Sequence, residues 1–482
     1  MNTKQGAAEN RDHWAEYHPV GYPSLSDDQL YLLHEAGLEI MARTGMRFYD
    51  QEAVDLFIKA GAQVTDGNLV RIPPHLVEWA LRTAPKSITI FDRLGRRAMI
   101  LGGHHTYFGP GSDCLHIYDL DSRLRRLAVL EDVRRGVRLV DALANLDFVM
   151  SMYLPSDVPE SHYERRQMAV MLQESTKPIV FVGLEAASTE RAVSMASAAA
   201  GDLESLQRYP FVINYVNTVS SFKHNEESVR RLFYAAERNL PTVYAPGKLR
   251  GSIAPITVAG AMALGHAGHL AGLVLSQLTR EGSPFIQSNP VGSALDMRTM
   301  VSLYANPDGA HGWNLARHHG IPVFGTAGCS DSKVFDAQAA GEVALTLFDN
   351  LLNGANLIHD VGYLDCAMTG SLELVAFCDE VIGWLRHYFR PLEITEETLA
   401  LDLIHQIGPD GNFIESRHTL RHVRDDWQPR LFDRLDFQRW ADRGATTFQA
   451  RANARVREII EEHRAEPLPA DVARRIQALA ED

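Results

Sequence analysis

PVFGTAG, residues 322–328, is an apolar run that breaks off in small residues, and seven other stretches of the chain have the same shape. They are TYFG (106–109), DFVMSM (147–152), PIVFVG (178–183), FVINYVN (211–217), TVYAPG (242–247), PFIQSN (284–289) and NLIHDVG (356–362). Short apolar runs closed by glycine, proline or polar residues read as buried strands, and intervals of about thirty to forty residues fit one strand-plus-helix unit each. Eight such units predict an α/β protein, a (β/α)8 TIM barrel. In that architecture the chemistry sits where strands run into the following loops. Asn214, Asn217, Gln287, Asn289, Thr326, Asp331, His359 and Asp360 stand at such ends and are the first candidates.

Working outward, residues 1–103 read as a helical cap with short strands. Ser26 is placed to start a helix with Leu30, Leu33, Ala36 and Ile40 on one side, a second helix covers Gln51 to Ala60, and Pro73 and Pro74 open a third. A strand pair follows at Ser87 to Phe91 and Ala98 to Leu101. The barrel is expected over residues 104–370, with a hairpin inserted after the first strand at Cys114 to Tyr118 and Arg123 to Ala128. Residues 371–482 read as a helical extension wrapped on the barrel, its dense charges broken by Trp427, Phe432, Phe437 and Trp440.

The 482 residues are 45% hydrophobic, enough for a large core. Lys plus Arg at 47 against Asp plus Glu at 61 gives a net charge of -14, which excludes a phosphate-backbone partner. Four irregularly spaced cysteines and a charged start without an apolar signal segment imply a reduced, cytoplasmic protein. Thr257 to Leu278 is long and apolar, but His266, His269, Ser276 and Gln277 interrupt it. Its glycines suit a helix packed tightly inside a barrel better than a membrane span.

His359 and Asp360 end the last strand, and Cys329, Asp331 and Lys333 follow the seventh. The histidine pairs 104/105, 266/269 and 318/319 lack a third ligand at a familiar spacing, and no metal is expected on this chain. No glycine fingerprint for dinucleotides and no phosphate loop is present. Tyr107, Phe108, Tyr153, Tyr215, Tyr244, Phe324 and Tyr363 cluster at or just past strand ends. Rings turned toward the mouth would attract a quaternary ammonium group through their faces.

The FGPGSD turn (108–113), TKPIVFVG (176–183), PVFGTAGCSDSK (322–333) with Asp336, Ala337 and Gln338, and LIHDVGYLD (357–365) resemble the trimethylamine methyltransferase family. The resemblance is to its members without pyrrolysine, which include glycine betaine methyltransferases, and it spans nearly the whole chain. It implies an enzyme that passes a methyl group from a methylated amine to the Co(I) centre of a separate corrinoid protein, with no cofactor held tightly by this chain. Every position here is a standard amino acid, and a quaternary ammonium already carries the charge that lets a neutral amine leave. Only alignment is then needed, which disfavours trimethylamine as substrate.

On this reading Tyr107, Phe324 and Tyr363 form the cation cage, and Gln287, Asn289 and Asn217 bind the substrate carboxylate. His359 and Asp331 orient or polarise it. A metal-dependent barrel hydrolase and a non-catalytic betaine-binding protein remain as alternatives. A homo-oligomer is expected, as is common for large barrels.

Overall fold

The computed structural model describes residues 24–305 and 308–481. Seven parallel strands form its central sheet: β1 (Tyr107–Phe108), β2 (Ile179–Val182), β3 (Val212–Thr218), β4 (Thr242–Pro246), β5 (Phe285–Ser288), β6 (Val323–Thr326) and β7 (Leu357–His359). β7 pairs with β1, bringing the sheet round on itself. The gap between β1 and β2 is filled by residues 147–149. The Asp147 amide donates to Phe108 O at 2.6 Å, and Val149 bridges in parallel to Ile179. All eight expected runs are therefore staves of one closed barrel, in sequence order.

A helix follows each stave, ending with Leu372–Tyr388 after β7. That last helix packs between Ala337–Asn353 and Leu130–Ala142. The helical ring thus runs past residue 370, because the eighth stave needs a cover as the others do. Val258–Thr279 is the one helix among the described residues long and apolar enough to cross a membrane, and it is buried in this ring. A Cβ on its Gly272 would lie 2.3 Å from the Tyr244 ring, so only glycine permits this helix-to-strand approach.

The interior of the barrel is filled by Phe148, Met150, Val180, Ile213, Val243, Ile286 and Leu357. Its amino-terminal end is plugged by the hairpin Ile88–Phe91 and Arg97–Leu101, whose Ile88, Ile90, Met99 and Leu101 join the same core. The expected helices at the start of the chain are present as Asp27–Glu39, Gln51–Lys59 and Pro74–Thr83, the first with a capping box between Ser26 and Gln29. Asp27–Glu39 wedges against Val258–Thr279 and Gly309–His318. The carboxy-terminal helices Phe448–Glu462 and Ala470–Glu481 lie on the outside of the ring.

At the opposite end, the hairpin His116–Tyr118 and Arg125–Leu127 combines with Tyr363–Leu364 and Thr369–Gly370 into a four-stranded sheet. The loops after the first and last staves are thereby tied together. The opening is left to the loops after β3 to β7.

Candidate active site

A cavity of about 830 Å³ lies at the carboxyl ends of β3 to β7, a size that suits a small-molecule ligand. Alternation along a strand sets its floor: in β3, Ile213 joins the barrel core and Tyr215, two residues on, reaches the cavity. Phe324 of β6 and His359 of β7 complete an aromatic wall. The Phe324 and His359 rings lie 4.2 Å apart, and Tyr215 and Phe324 lie 5.4 Å apart, measured between centroids. Tyr304, from the long loop after β5, closes the wall from above.

His359 Nδ1 donates to Gly325 O at 2.7 Å, so the neutral ring carries its lone pair on Nε2, 3.3 Å from Asp360 Oδ2. Burial lowers the imidazole to about 4, opposed by the Gly325 contact and the charge of Asp113. Asp360 is raised to about 7 by burial, with a side-chain hydrogen bond from Tyr304 acting the other way. Asp113 lies on the loop after β1, and its carboxyl is raised to about 6, by desolvation first and by Asp360 second. The left-handed backbone at Asp360, φ 72°, turns this carboxyl under Gly111, where a Cβ would meet its Oδ1 at 2.2 Å.

The other side of the cavity carries Lys248, directly after β4. Its Nζ donates to Pro246 O at 3.0 Å and to Ser288 Oγ at 2.8 Å, and Ser288 Oγ in turn meets His269 Nε2 at 2.7 Å. Burial alone pushes this ammonium down to about 7. Among the described residues no carboxylate is paired with it, and burial drives His269 well below the ordinary histidine range, so that ring adds no charge. The cavity therefore has a cationic pole at Lys248 and an acidic pole behind His359 and Tyr304, with aromatic faces near the acidic pole.

Of the residues singled out in the sequence, Tyr215, Asn217, Asn289, Phe324, Thr326 and His359 line the cavity. Asn289 is already committed: its Nδ2 donates to Gly309 O and its Oδ1 accepts from Val291 N, which holds the loop after β5. Asn217 accepts from Arg231 at 3.3 Å on the rim. Four expected site residues lie off the cavity wall. Tyr107 begins β1, so its hydroxyl points down to the plugged end and accepts from Ile100 N at 3.1 Å. Tyr363 belongs to the four-stranded sheet, its hydroxyl donating to Met152 O and accepting from Asp113 N.

Gln287 points outward and donates to Ala316 O at 2.7 Å. Asp331 accepts from Tyr304 N at 2.9 Å, so it places that tyrosine from behind. Asn214 likewise faces away, donating to Pro241 O. The reading of strand ends passed over Lys248, Ser288 and Tyr304. Lys248 had a visible signal as the first charged residue after APG; Tyr304, deep in a long loop, had none.

The family model for Trimethylamine methyltransferase (MTTB) matches residues 2–481. A glycine betaine methyltransferase of Desulfitobacterium hafniense is 31% identical over 468 residues, covering 95% of this chain and 96% of that protein. A trimethylamine methyltransferase of the same species is 30% identical, covering 96% and 94%. Among solved structures, the monomethylamine methyltransferase of Methanosarcina barkeri shares the fold with a TM-score of 0.52 at 12% identity, covering 93% of this chain and 90% of that one. A match over nearly the full length, on a barrel whose mouth carries the cavity, leads to one conclusion: the chain belongs to the trimethylamine methyltransferase family.

Proposed function

We propose that this protein takes a methyl group from a betaine-type quaternary amine and gives it to the Co(I) centre of a separate corrinoid protein. The observation that carries the substrate class is the pairing of poles in one cavity. Lys248 offers an ammonium without a carboxylate partner among the described residues, and Tyr215, Phe324, Tyr304 and His359 offer ring faces beside Asp113 and Asp360. A zwitterion with a carboxylate at one end and an onium at the other matches both, whereas trimethylamine would leave Lys248 buried and unpaired.

The chain's residues have a limited task in this reading. Lys248 and Ser288 anchor the carboxylate, and the rings hold the onium so that one methyl points to the mouth. The acidic pole favours the positive charge of the substrate over its neutral product. Reduced cobalt, on the partner, supplies the nucleophile: the carbon–nitrogen bond breaks, its electron pair stays on nitrogen, and a tertiary amine leaves without needing a proton. Positioning of this kind accounts for large rate effects by itself.

Exposed Val219, Ile253, Ile256, Met297 and Met300 on the loops after β3 to β5 give the mouth an apolar rim, which suits docking of a macromolecule. The helices from Glu396 to His422 bury none of their own residues and expose Leu399, Leu401, Ile404 and Leu420, which favours a second copy as cover. Four free cysteines suit a reducing cytoplasm.

The test combines the purified chain, chemically reduced cobalamin and a panel of methylated amines, followed by visible absorption. Methylcobalamin should accumulate with glycine betaine or a close relative. Turnover of trimethylamine in preference to every carboxylated quaternary amine would overturn the substrate class. Tight binding with no transfer to any corrinoid would leave a betaine-binding protein instead.

A further inference from the structure

Away from the cavity, three histidines from separate helices meet on the outer side of the strand ring. His34 comes from Asp27–Glu39, His266 from Val258–Thr279, and His319 caps Gly309–His318. Each stands four residues after a member of one apolar cluster: Leu30, Met262 and Leu315 pack together with Val291. One helical turn further on, the same three helices change from an apolar layer to an imidazole layer. A hydrophobic interface alone gives no reason for that change.

The rings are close. His34 Nδ1 lies 3.1 Å from His266 Nε2, and His319 lies 4.4 Å from His34 and 5.3 Å from His266 between centroids. One nitrogen of each ring falls within 4.8 Å of those of the other two. Glu78 Oε1 stands 3.4 Å from the far nitrogen of His34, where a carboxylate orients a metal-bound imidazole. His266 Nδ1 and His319 Nε2 are buried without a hydrogen-bond partner. The contact between His34 and His266 accounts for one nitrogen of each of those rings and leaves His319 Nε2 buried and orphaned beside them.

We propose that His34, His266 and His319 form a binding site for one divalent transition-metal ion of the zinc class, clasping the amino-terminal helix to the barrel. All-imidazole donors select zinc, cobalt or nickel over calcium or magnesium. Zinc–nitrogen bonds of about 2.0–2.1 Å put tetrahedral ligands about 3.3 Å apart, near the His34–His266 spacing, and His319 closes on the ion by side-chain rotation. The other histidine grouping, Glu397, His418 and His422, lies in the exposed arm, where His422 already bonds Asp425 at 2.6 Å.

The full chain, stripped with a chelator and titrated with Co2+, should bind one equivalent with the intense visible bands of tetrahedral cobalt. Those bands should vanish when Zn2+ is added, and Zn2+ should raise Tm by several degrees. His34→Gln, and independently the partly exposed His319→Gln, should lose both the bands and the Zn2+-induced rise, while His418→Gln keeps them. Absence of tetrahedral bands in the parent chain would overturn the site, as would bands and stoichiometry unchanged in both variants.

Discussion

The two ends of the barrel are built from the same staves and have opposite chemistry. At the amino-terminal end, Ile88, Ile90, Met99 and Leu101 of the plugging hairpin share one core with Phe148, Val180 and Leu357, and the Tyr107 hydroxyl accepts from a backbone amide. At the carboxyl end, two carboxyls are held up at about 6 and 7, an imidazole is held down at about 4 and an ammonium at about 7. These four groups stand around the cavity, while an apolar core fills the opposite end, which separates the part of the fold that secures stability from the part that does chemistry.

If the division is real, changes at each end have separable consequences. The largest is expected from Met99→Ala in the seal, which leaves a cavity in a fully buried core and should cost about 2–5 kcal/mol of stability. Calorimetry should record the fall in Tm while the KM of the surviving folded enzyme stays near the parent value; a large KM change would break the division. At the other end, Lys248→Met removes a charge-assisted contact worth about 1.5–3 kcal/mol. Steady-state assays should show KM for carboxylated quaternary amines raised about ten- to a hundredfold. Stability should stay level or rise, since a buried cation is replaced by an apolar chain.

The pH profile sharpens the contrast next. Lys248 binds a carboxylate only while protonated, so kcat/KM should fall as pH rises past about 7. The acidic pole must be ionised to favour the onium, so it should also fall as pH drops through about 7 and 6, with Asp113 and Asp360 titrating as a pair. Lys248→Arg should move the alkaline limb upward, because a guanidinium keeps its proton. The smallest effect is expected from Tyr215→Leu, which keeps an apolar side chain and removes one ring face, a loss of about 0.5–2 kcal/mol in substrate binding. Titration calorimetry with the parent and variant reads it directly.

The fold was legible because apolar runs ending in small residues recur at a regular interval, and each of the eight became a stave. The site was half legible. Asn217, Asn289, Phe324 and His359 line the cavity because they sit where a stave meets its loop. Side-chain direction was the missing quantity. Gln287 is one residue out of phase with the cavity and bonds a helix carbonyl, while Tyr107 is two residues too early along its strand. Tyr363 was captured by a sheet that forms only when the loops after the first and last staves pair, a contact between segments some 250 residues apart that no local pattern announces.

The account rests on a zwitterion lying across the cavity, and a crystal soaked with glycine betaine examines that directly. The carboxylate should sit within hydrogen-bond reach of Lys248 Nζ and Ser288 Oγ, with the trimethylammonium group against Tyr215, Phe324 and His359 and one methyl turned to the opening. The ligand reversed, or seated outside the carboxyl ends of β3 to β7, would contradict it.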